Sequence, residues 1–270
     1  MTEPAQWGRR RSVLDLFDRL HLARPAVRGY ELALAAKSRV LGNDVREADG
    51  LPLPPARLRT QVGPLHADAQ FFLESGRHNA DLIRSLLPVG DVGALLDWGC
   101  GCGRVLRHWA DLEKTTVRGC DIDKRMVDWC NENLAFAEAT INELTPPLPY
   151  GDSTFGLVYA FSVMTHLSED LQRSWVNECA RVLEPGGHFV FSTLGEYYVS
   201  RDRLKEEERT RFERGELVVL YERSAGTSLC SAYHPHDYVR QELARELEYV
   251  TFRAAADDGR HDIHVLRKRT

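Results

Sequence analysis

Asp97-Trp98-Gly99-Cys100-Gly101-Cys102-Gly103 sets a carboxylate two residues ahead of three alternating glycines. Glycine lets the backbone approach a ligand closely and adopt positive φ. Free N–H groups at such a turn suit an anionic or strongly polar ligand. A second acid, Asp121, lies 20 residues beyond Gly101. In nucleotide-binding α/β folds an acid at about that distance bonds the ribose hydroxyls. The dinucleotide fingerprint G-x-G-x-x-G fails in both registers, because its third glycine falls on Arg104 or on Leu106. The chemistry indicated is therefore a nucleoside-bearing ligand held by glycines and two acids.

Proton-transfer candidates stand further along. His166, in Val163-Met164-Thr165-His166-Leu167, has a side chain whose ordinary pKa suits a general base. Its bland alternative is a cap for a helix starting near Ser168. Tyr233-His234-Pro235-His236 is a second cluster, with His236 and Asp237 equally able to cap a helix. Two histidines across a proline, without a carboxylate triad nearby, point to no metal. Cys100-x-Cys102 lacks the second pair a zinc site needs.

The elements that position these groups follow from hydrophobic period. Strands are expected at 94–98, 116–121, 136–141, 155–162 and 187–193. Helices are expected near 66–87, 104–113, 124–134 and 169–182. Such alternation of strand and helix implies a parallel sheet covered on both faces. Residues 196–228 break the rhythm with a charged helix over 201–214 and a short apolar run at 217–221. A last helix over 236–246 and two strands, 248–253 and 261–268, turned at Asp258-Gly259, close the chain. Ahead of the sheet, Val13, Leu14, Leu16, Phe17 and Leu20, then Tyr30, Leu32, Leu34, Val40 and Leu41, fall at helical spacing. Arg9-Arg10-Arg11 reads as a solvated face. Gly42, Asn43, Asp49-Gly50 and Pro52, Pro54 and Pro55 mark a linker or extended arm.

The order of these features resembles the class I S-adenosylmethionine-dependent methyltransferases. Asp97-x-Gly-x-Gly-x-Gly resembles their first motif. Val117-Arg118-Gly119-Cys120-Asp121 resembles their second strand, Phe155 to Ser162 their fourth, and Arg181 to Phe191 their fifth with its preceding turn. Gly156 stands where the family usually has Asp. The resemblance covers residues 70–195 well and the C-terminal end more loosely. It implies an α/β three-layer sandwich, with a mostly parallel seven-stranded sheet ending in an antiparallel hairpin and an N-terminal helical extension. It divides the chain into 1–65, extension and linker, and 66–270, the cofactor-binding domain with an insertion at about 196–228.

By the same resemblance S-adenosylmethionine is the cofactor. Asp97, Gly99, Cys100, Gly101 and Gly103 would hold its methionine end. Asp121 would hold the ribose, Ile122 would pack on adenine, and Asn142 and Glu143 would read the adenine edge. Phe161 and Ser162 would lie beneath the sulfonium. Phe72 and Arg77 would roof the cofactor, with Arg77 facing its carboxylate. His166, His234 and Tyr233 are the catalytic candidates. The expected reaction is methyl transfer to an O or N atom of a small molecule or peptide. An RNA or protein methyltransferase and a non-catalytic cofactor-binding partner protein are the alternatives.

A formal net charge of −5 over 270 residues gives no basic field for nucleic acid or for an anionic membrane. No apolar run is long enough for a membrane span, and the N-terminus lacks the apolar core of a secretory signal. Scattered cysteines fit a reducing, cytoplasmic setting. The oligomeric state is left open.

Overall fold

The computed structural model describes residues 14–20, 22–40, 47–48, 50–202 and 204–270. Arg9 to Arg11, Val13, Leu41, Gly42, Asn43 and Asp49 lie outside the described residues.

Seven strands form the central sheet: β1 (Ala94–Trp98), β2 (Thr116–Asp121), β3 (Ala137–Ile141), β4 (Phe155–Ala160), β5 (Leu183–Thr193), β6 (Glu248–Asp257) and β7 (His261–Arg267). Their order is β6-β7-β5-β4-β1-β2-β3. β1 to β5 pair in parallel, and β7 runs antiparallel to both β5 and β6. This is the mostly parallel sheet with a terminal hairpin implied by the sequence. The order reverses at β1, where the outward chain runs to β2 and β3 and then returns to β4. Ligands of open α/β sheets bind at such a switch point, beyond the carboxyl ends of the strands.

Apolar residues alternate along each strand, so the sheet separates two cores. Leu95, Val117, Leu157 and Val190 face one, covered by α3 (Ala69–Leu86) through Phe72, Ala80 and Ile83 and by α4 (Lys124–Asn133) through Met126, Val127 and Cys130. Leu96, Cys120, Val158, Phe189 and Phe191 face the other, covered by α5 (Glu169–Val182) through Trp175, Val176 and Cys179. Gly156 has a packing reason. A Cβ there would lie 2.4 Å from the Val92 carbonyl oxygen, so the strand's start passes too close to backbone for the family's usual Asp.

Before α3 the chain forms α1 (Ala23–Val40), a two-residue hairpin pairing 47–48 with 51–52, and α2 (Ala56–Val62). Arg59, fully buried on α2, fixes this arm by donating to the carbonyls of Pro54 (2.5 Å), Ala67 (2.8 Å) and His66 (3.1 Å). Asp68 caps α3 by accepting from the Phe71 N–H at 2.8 Å.

Three expectations differ from the structure. The helix expected over 104–113 is a run of turns with a 3₁₀ segment at Leu106–Trp109. Three glycines with positive φ, then Arg104 and Trp109 tied sideways to other elements, keep the loop from winding into an α-helix. The helix expected over 236–246 is one α turn, His236–Tyr238, running into a π-type turn, Val239–Leu243. In the insertion an additional helix, α6 (Glu196–Arg201), precedes the expected charged helix, which is shortened to α7 (Glu206–Glu213), while Val218–Leu220 pairs antiparallel with Ser231–Tyr233.

Candidate active site

The glycine loop leaves β1 and turns back under β2. Gly99, Gly101 and Gly103 have φ of 78°, 52° and 77°. The N–H groups of Gly99 and Cys100 both donate to the Cys120 carbonyl, at 2.8 and 3.0 Å. Asp121, at the end of β2, completes the fastening. One of its carboxylate oxygens accepts the Gly101 N–H at 2.9 Å and the other the Asp123 N–H at 2.8 Å. An ionised carboxylate has about four lone-pair sites, so both oxygens keep capacity for a ligand's hydroxyls.

Asp97 is buried beside the loop, and its Oδ2 has no hydrogen-bond partner. Burial pushes its pKa up to about 7, against the downward pull of the Tyr159 hydroxyl and the Arg104 guanidinium. Asn142 follows β3, is buried, and donates to the Glu143 carbonyl at 2.7 Å, leaving Oδ1 without a partner. Glu143 itself is exposed. Ile122 and Ile141, 47% and 42% exposed, present apolar surface at the same strand ends. Phe161 is buried after β4. Ser162 follows it with φ of 58°, and its N–H donates to Ser192 Oγ at 2.7 Å. A non-glycine residue held in this region stores of order 1–3 kcal/mol of strain, and such residues cluster at functional sites.

A cavity of about 140 Å³ opens beside Ser162. Its apolar wall is Pro64, Leu65 and Phe71; its polar wall is Arg104 with Asp257, Asp258, Arg260 and His261 of the β6–β7 turn. His66 and Ser75 complete it. The chain before α3 and the C-terminal hairpin therefore meet over the carboxyl end of β4.

The remaining sequence candidates sit elsewhere. Phe72 is fully buried in the core, and Arg77 is exposed on α3. His166, Tyr233 and His234 do not line the cavity. His166 Nδ1 lies 2.7 Å from the Cys230 carbonyl, and the His166 carbonyl accepts the Gly226 N–H at 2.8 Å, a double tie to the insertion. Tyr233 donates to Asp202 at 2.9 Å. His234 Nε2 meets Gln172 Oε1 of α5 at 2.9 Å. The Tyr233 hydroxyl and one ring nitrogen of each histidine are thus engaged inside the fold, while His234 Nδ1 is buried without a partner. Arg104, Asp257 and His261 were not singled out by the sequence. The only trace of the last two was their position either side of the Asp258-Gly259 turn.

The buried rings carry a pH dependence. Burial pushes the His234 pKa down to about 3, and burial followed by the Arg104 charge does the same to His66. In the unfolded chain such rings take up protons near 6.5. Acid therefore favours the unfolded chain, and stability is full above that value and lost as pH falls through it toward 3. Asp97 acts in the opposite sense, its contribution present at low pH and lost between 3.8 and about 7. Burial lowers His166, His188 and His264 in the same sense as these two rings and raises Asp121 and Asp262 in the same sense as Asp97, so the rings outnumber the carboxyls and the net is a loss on acidification. Urea unfolding is expected to give a lower midpoint at about pH 5 than at about pH 7.5; an equal or higher midpoint would contradict this balance.

The arrangement fits the cofactor implied by the sequence. The partnerless Asp97 Oδ2 and Asn142 Oδ1, the positive-φ glycines and the two exposed isoleucines line the same strand ends. Residues 96–191 match the family model described as a methyltransferase domain. A malonyl-[acyl-carrier protein] O-methyltransferase of Pectobacterium atrosepticum is 25% identical over 188 residues, 67% of each chain. The 27-O-demethylrifamycin SV methyltransferase of Amycolatopsis mediterranei is 28% identical over 124 residues, 43% of each chain. The chain thus spans two thirds of the first relative's length and less than half of the second's. The CcbJ methyltransferase of Streptomyces caelestis has the same fold, with a TM-score of 0.53 at 19% identity over 73% of this chain and 90% of that one. Residues 96–191 thus match a methyltransferase domain, and the sheet that holds them has the Rossmann-like fold of the class I S-adenosylmethionine-dependent methyltransferases, whose cofactor is S-adenosylmethionine. Among the described residues no helix is long and apolar enough to cross a membrane.

Proposed function

We propose that the protein transfers the methyl group of S-adenosylmethionine to an O or N atom of a small molecule or a peptide side chain. The observation that carries this reading is the cavity beside Ser162, continuous with Arg104 at the end of the glycine loop. It lies at the carboxyl end of β4, where donor and acceptor have to meet in line. The sulfonium of the bound cofactor supplies an already activated methyl group. The protein's part is alignment, worth up to roughly 7–11 kcal/mol when reacting atoms are held in near-attack geometry. In this reading Asp97 and the glycine loop hold the methionine end, Asp121 the ribose, and Asn142 the adenine edge. Ser162 and Phe161 form the floor beneath the sulfur.

A cavity of about 140 Å³ suits one small acceptor group rather than a folded macromolecular surface. The net charge of −5 supports the same choice against RNA. All six cysteines are free and buried, which supports a cytoplasmic setting. The deciding experiment is calorimetry with S-adenosylhomocysteine, sinefungin and NAD. Binding of the first two and not the third is expected; NAD binding alone would overturn the reading.

A further inference from the structure

The β6–β7 turn carries a hydrogen-bonded chain that ends in the cavity. Arg104 Nη1 donates to Asn79 Oδ1 at 2.6 Å, and Asn79 Nδ2 donates to Asp257 Oδ1 at 2.7 Å. Asp257 Oδ2 lies 3.1 Å from His261 Nδ1. The Tyr198 hydroxyl, on α6, stands 3.1 Å from the opposite ring nitrogen, Nε2, and 3.4 Å from Nδ1, so it sits beside the ring between the two nitrogens and not along the Nε2 lone pair. A carboxylate accepts only, so it places the imidazole proton on Nδ1 and leaves the lone pair on Nε2. Burial raises the Asp257 carboxyl, yet His261, Arg104 and Asn79 together hold it below its usual pKa, so it stays ionised.

The backbone is shaped to present this pair. The β6–β7 register shifts between Arg253 and Asp257, and Ala255 and Asp258 take positive φ of 48° and 54°. The Ala255 N–H is held there by Asp262 Oδ1 at 2.8 Å. Such irregularities re-aim side chains next to active sites, and strain of this kind at non-glycine residues persists only where the surroundings enforce it. Asp257 and His261 both line the cavity, together with Leu65, Phe71 and Ser162.

We propose that His261, held by Asp257, is the base that takes the proton from a neutral hydroxyl acceptor, a phenol or alcohol with an apolar body, bound in this cavity. The inference rests on the methyltransferase reading above and names its acceptor class. The acceptor's O–H bond breaks toward His261 Nε2. An oxygen electron pair forms the new O–CH3 bond, and the pair of the broken S–CH3 bond returns to sulfur, leaving S-adenosylhomocysteine. His261 leaves the step as an imidazolium paired with Asp257 and passes its proton to solvent. A carboxylate acceptor would arrive ionised and leave this pair without a task. Asp257 is a positioning residue, since it acts through the ring.

The probe is 4-nitrophenol, which the cavity is large enough to admit and whose anion is yellow. Protein saturated with S-adenosylhomocysteine is titrated with it at a pH where the free phenol is mostly protonated. The wild type is expected to bind it as the yellow phenolate. H261Q should reduce the bound phenolate by on the order of tenfold or more, the equivalent of one pKa unit. D257N, which keeps the ring but loses its orientation, should still bind the phenol and show a several-fold weaker band. A band unchanged in H261Q would assign the phenolate to Arg104 or Arg260 and overturn the proposal. So would wild-type protein that binds no phenol or binds it neutral. Calorimetry of S-adenosylhomocysteine on the same samples separates the two readings. Retained cofactor binding with no phenolate removes only the base, whereas absent cofactor binding removes the methyltransferase reading itself.

Discussion

Gly76→Ala is expected to lower both stability and cofactor affinity, although it lies on α3 and touches no cofactor residue of the first motif. A Cβ on Gly76 would sit 2.0 Å from the Arg104 carbonyl oxygen and 2.9 Å from its carbon. Both are backbone atoms of the glycine loop, so no side-chain rotation relieves the clash. Helix or loop must shift instead. Overpacking of this kind costs about 1–3 kcal/mol, and the rigid partner puts Gly76 at the upper end. Loss of about 3 kcal/mol is a large part of the roughly 5–15 kcal/mol that holds a typical domain together. The displacement falls on Arg104, directly after Gly103, and on Asn79, which binds both Arg104 and Asp257. Urea unfolding and S-adenosylhomocysteine calorimetry read the two effects. Unchanged midpoint and affinity would show that the loop accommodates a methyl group, and that helix and loop are not rigidly coupled.

That coupling also explains what could be read from residue order alone. β1, β2 and α5 were legible to the residue because buried parallel strands appear as short continuous apolar runs. A helix over 169–182 shows its apolar stripe at Trp175, Val176, Cys179 and Val182. The glycine loop and Asp121 were legible because their spacing reflects a backbone that must approach a ligand. The segment after the glycines was not legible as structure. Val105, Leu106 and Trp109 have helical spacing, but Trp109 is drawn to the Tyr159 hydroxyl at 2.7 Å and Arg104 to Asn79, and tertiary bonds override the local preference.

The candidate site splits the same way. His166 and His234 attracted notice as histidines near strand ends, yet burial and hydrogen bonds to Cys230 and Gln172 give each a structural task. Nothing in a sequence distinguishes a histidine aimed at a cavity from one aimed at a carbonyl. His261 and Asp257 are brought to Ser162 only by the pairing of β7 with β5 and by the shifted register of the terminal hairpin. The first joins segments about 70–80 residues apart in the chain, and the second is a shift within a hairpin that the turn residues alone do not reveal. The arm over 51–67 is similar. Its prolines signal an extended path, while its seat over the glycine loop depends on the buried Arg59 and on Arg107, which donates to the Pro52 carbonyl at 3.1 Å.

Asp121→Ala is expected to produce the largest loss of cofactor affinity of any single side-chain truncation at the strand ends. A charge-assisted hydrogen bond to a ribose hydroxyl contributes about 1.5–3 kcal/mol, which corresponds to a roughly ten- to hundredfold weaker dissociation constant for S-adenosylhomocysteine. The structure adds a second consequence. Asp121 accepts the N–H groups of Gly101 and Asp123, and truncation leaves both without their acceptor. A buried unsatisfied donor costs about 1–3 kcal/mol, so the melting temperature falls together with the affinity. Asp121→Asn separates the two effects. Its carbonyl oxygen still accepts one N–H, but its NH2 group points a donor at the other and carries no charge. Asn is therefore expected to restore part of the stability while binding stays weak. Calorimetry and thermal melting of wild type, Asp121→Ala and Asp121→Asn decide it. Full affinity in the Asn variant would mean that the carboxylate's charge does not face the ribose and that Asp121 serves the loop alone.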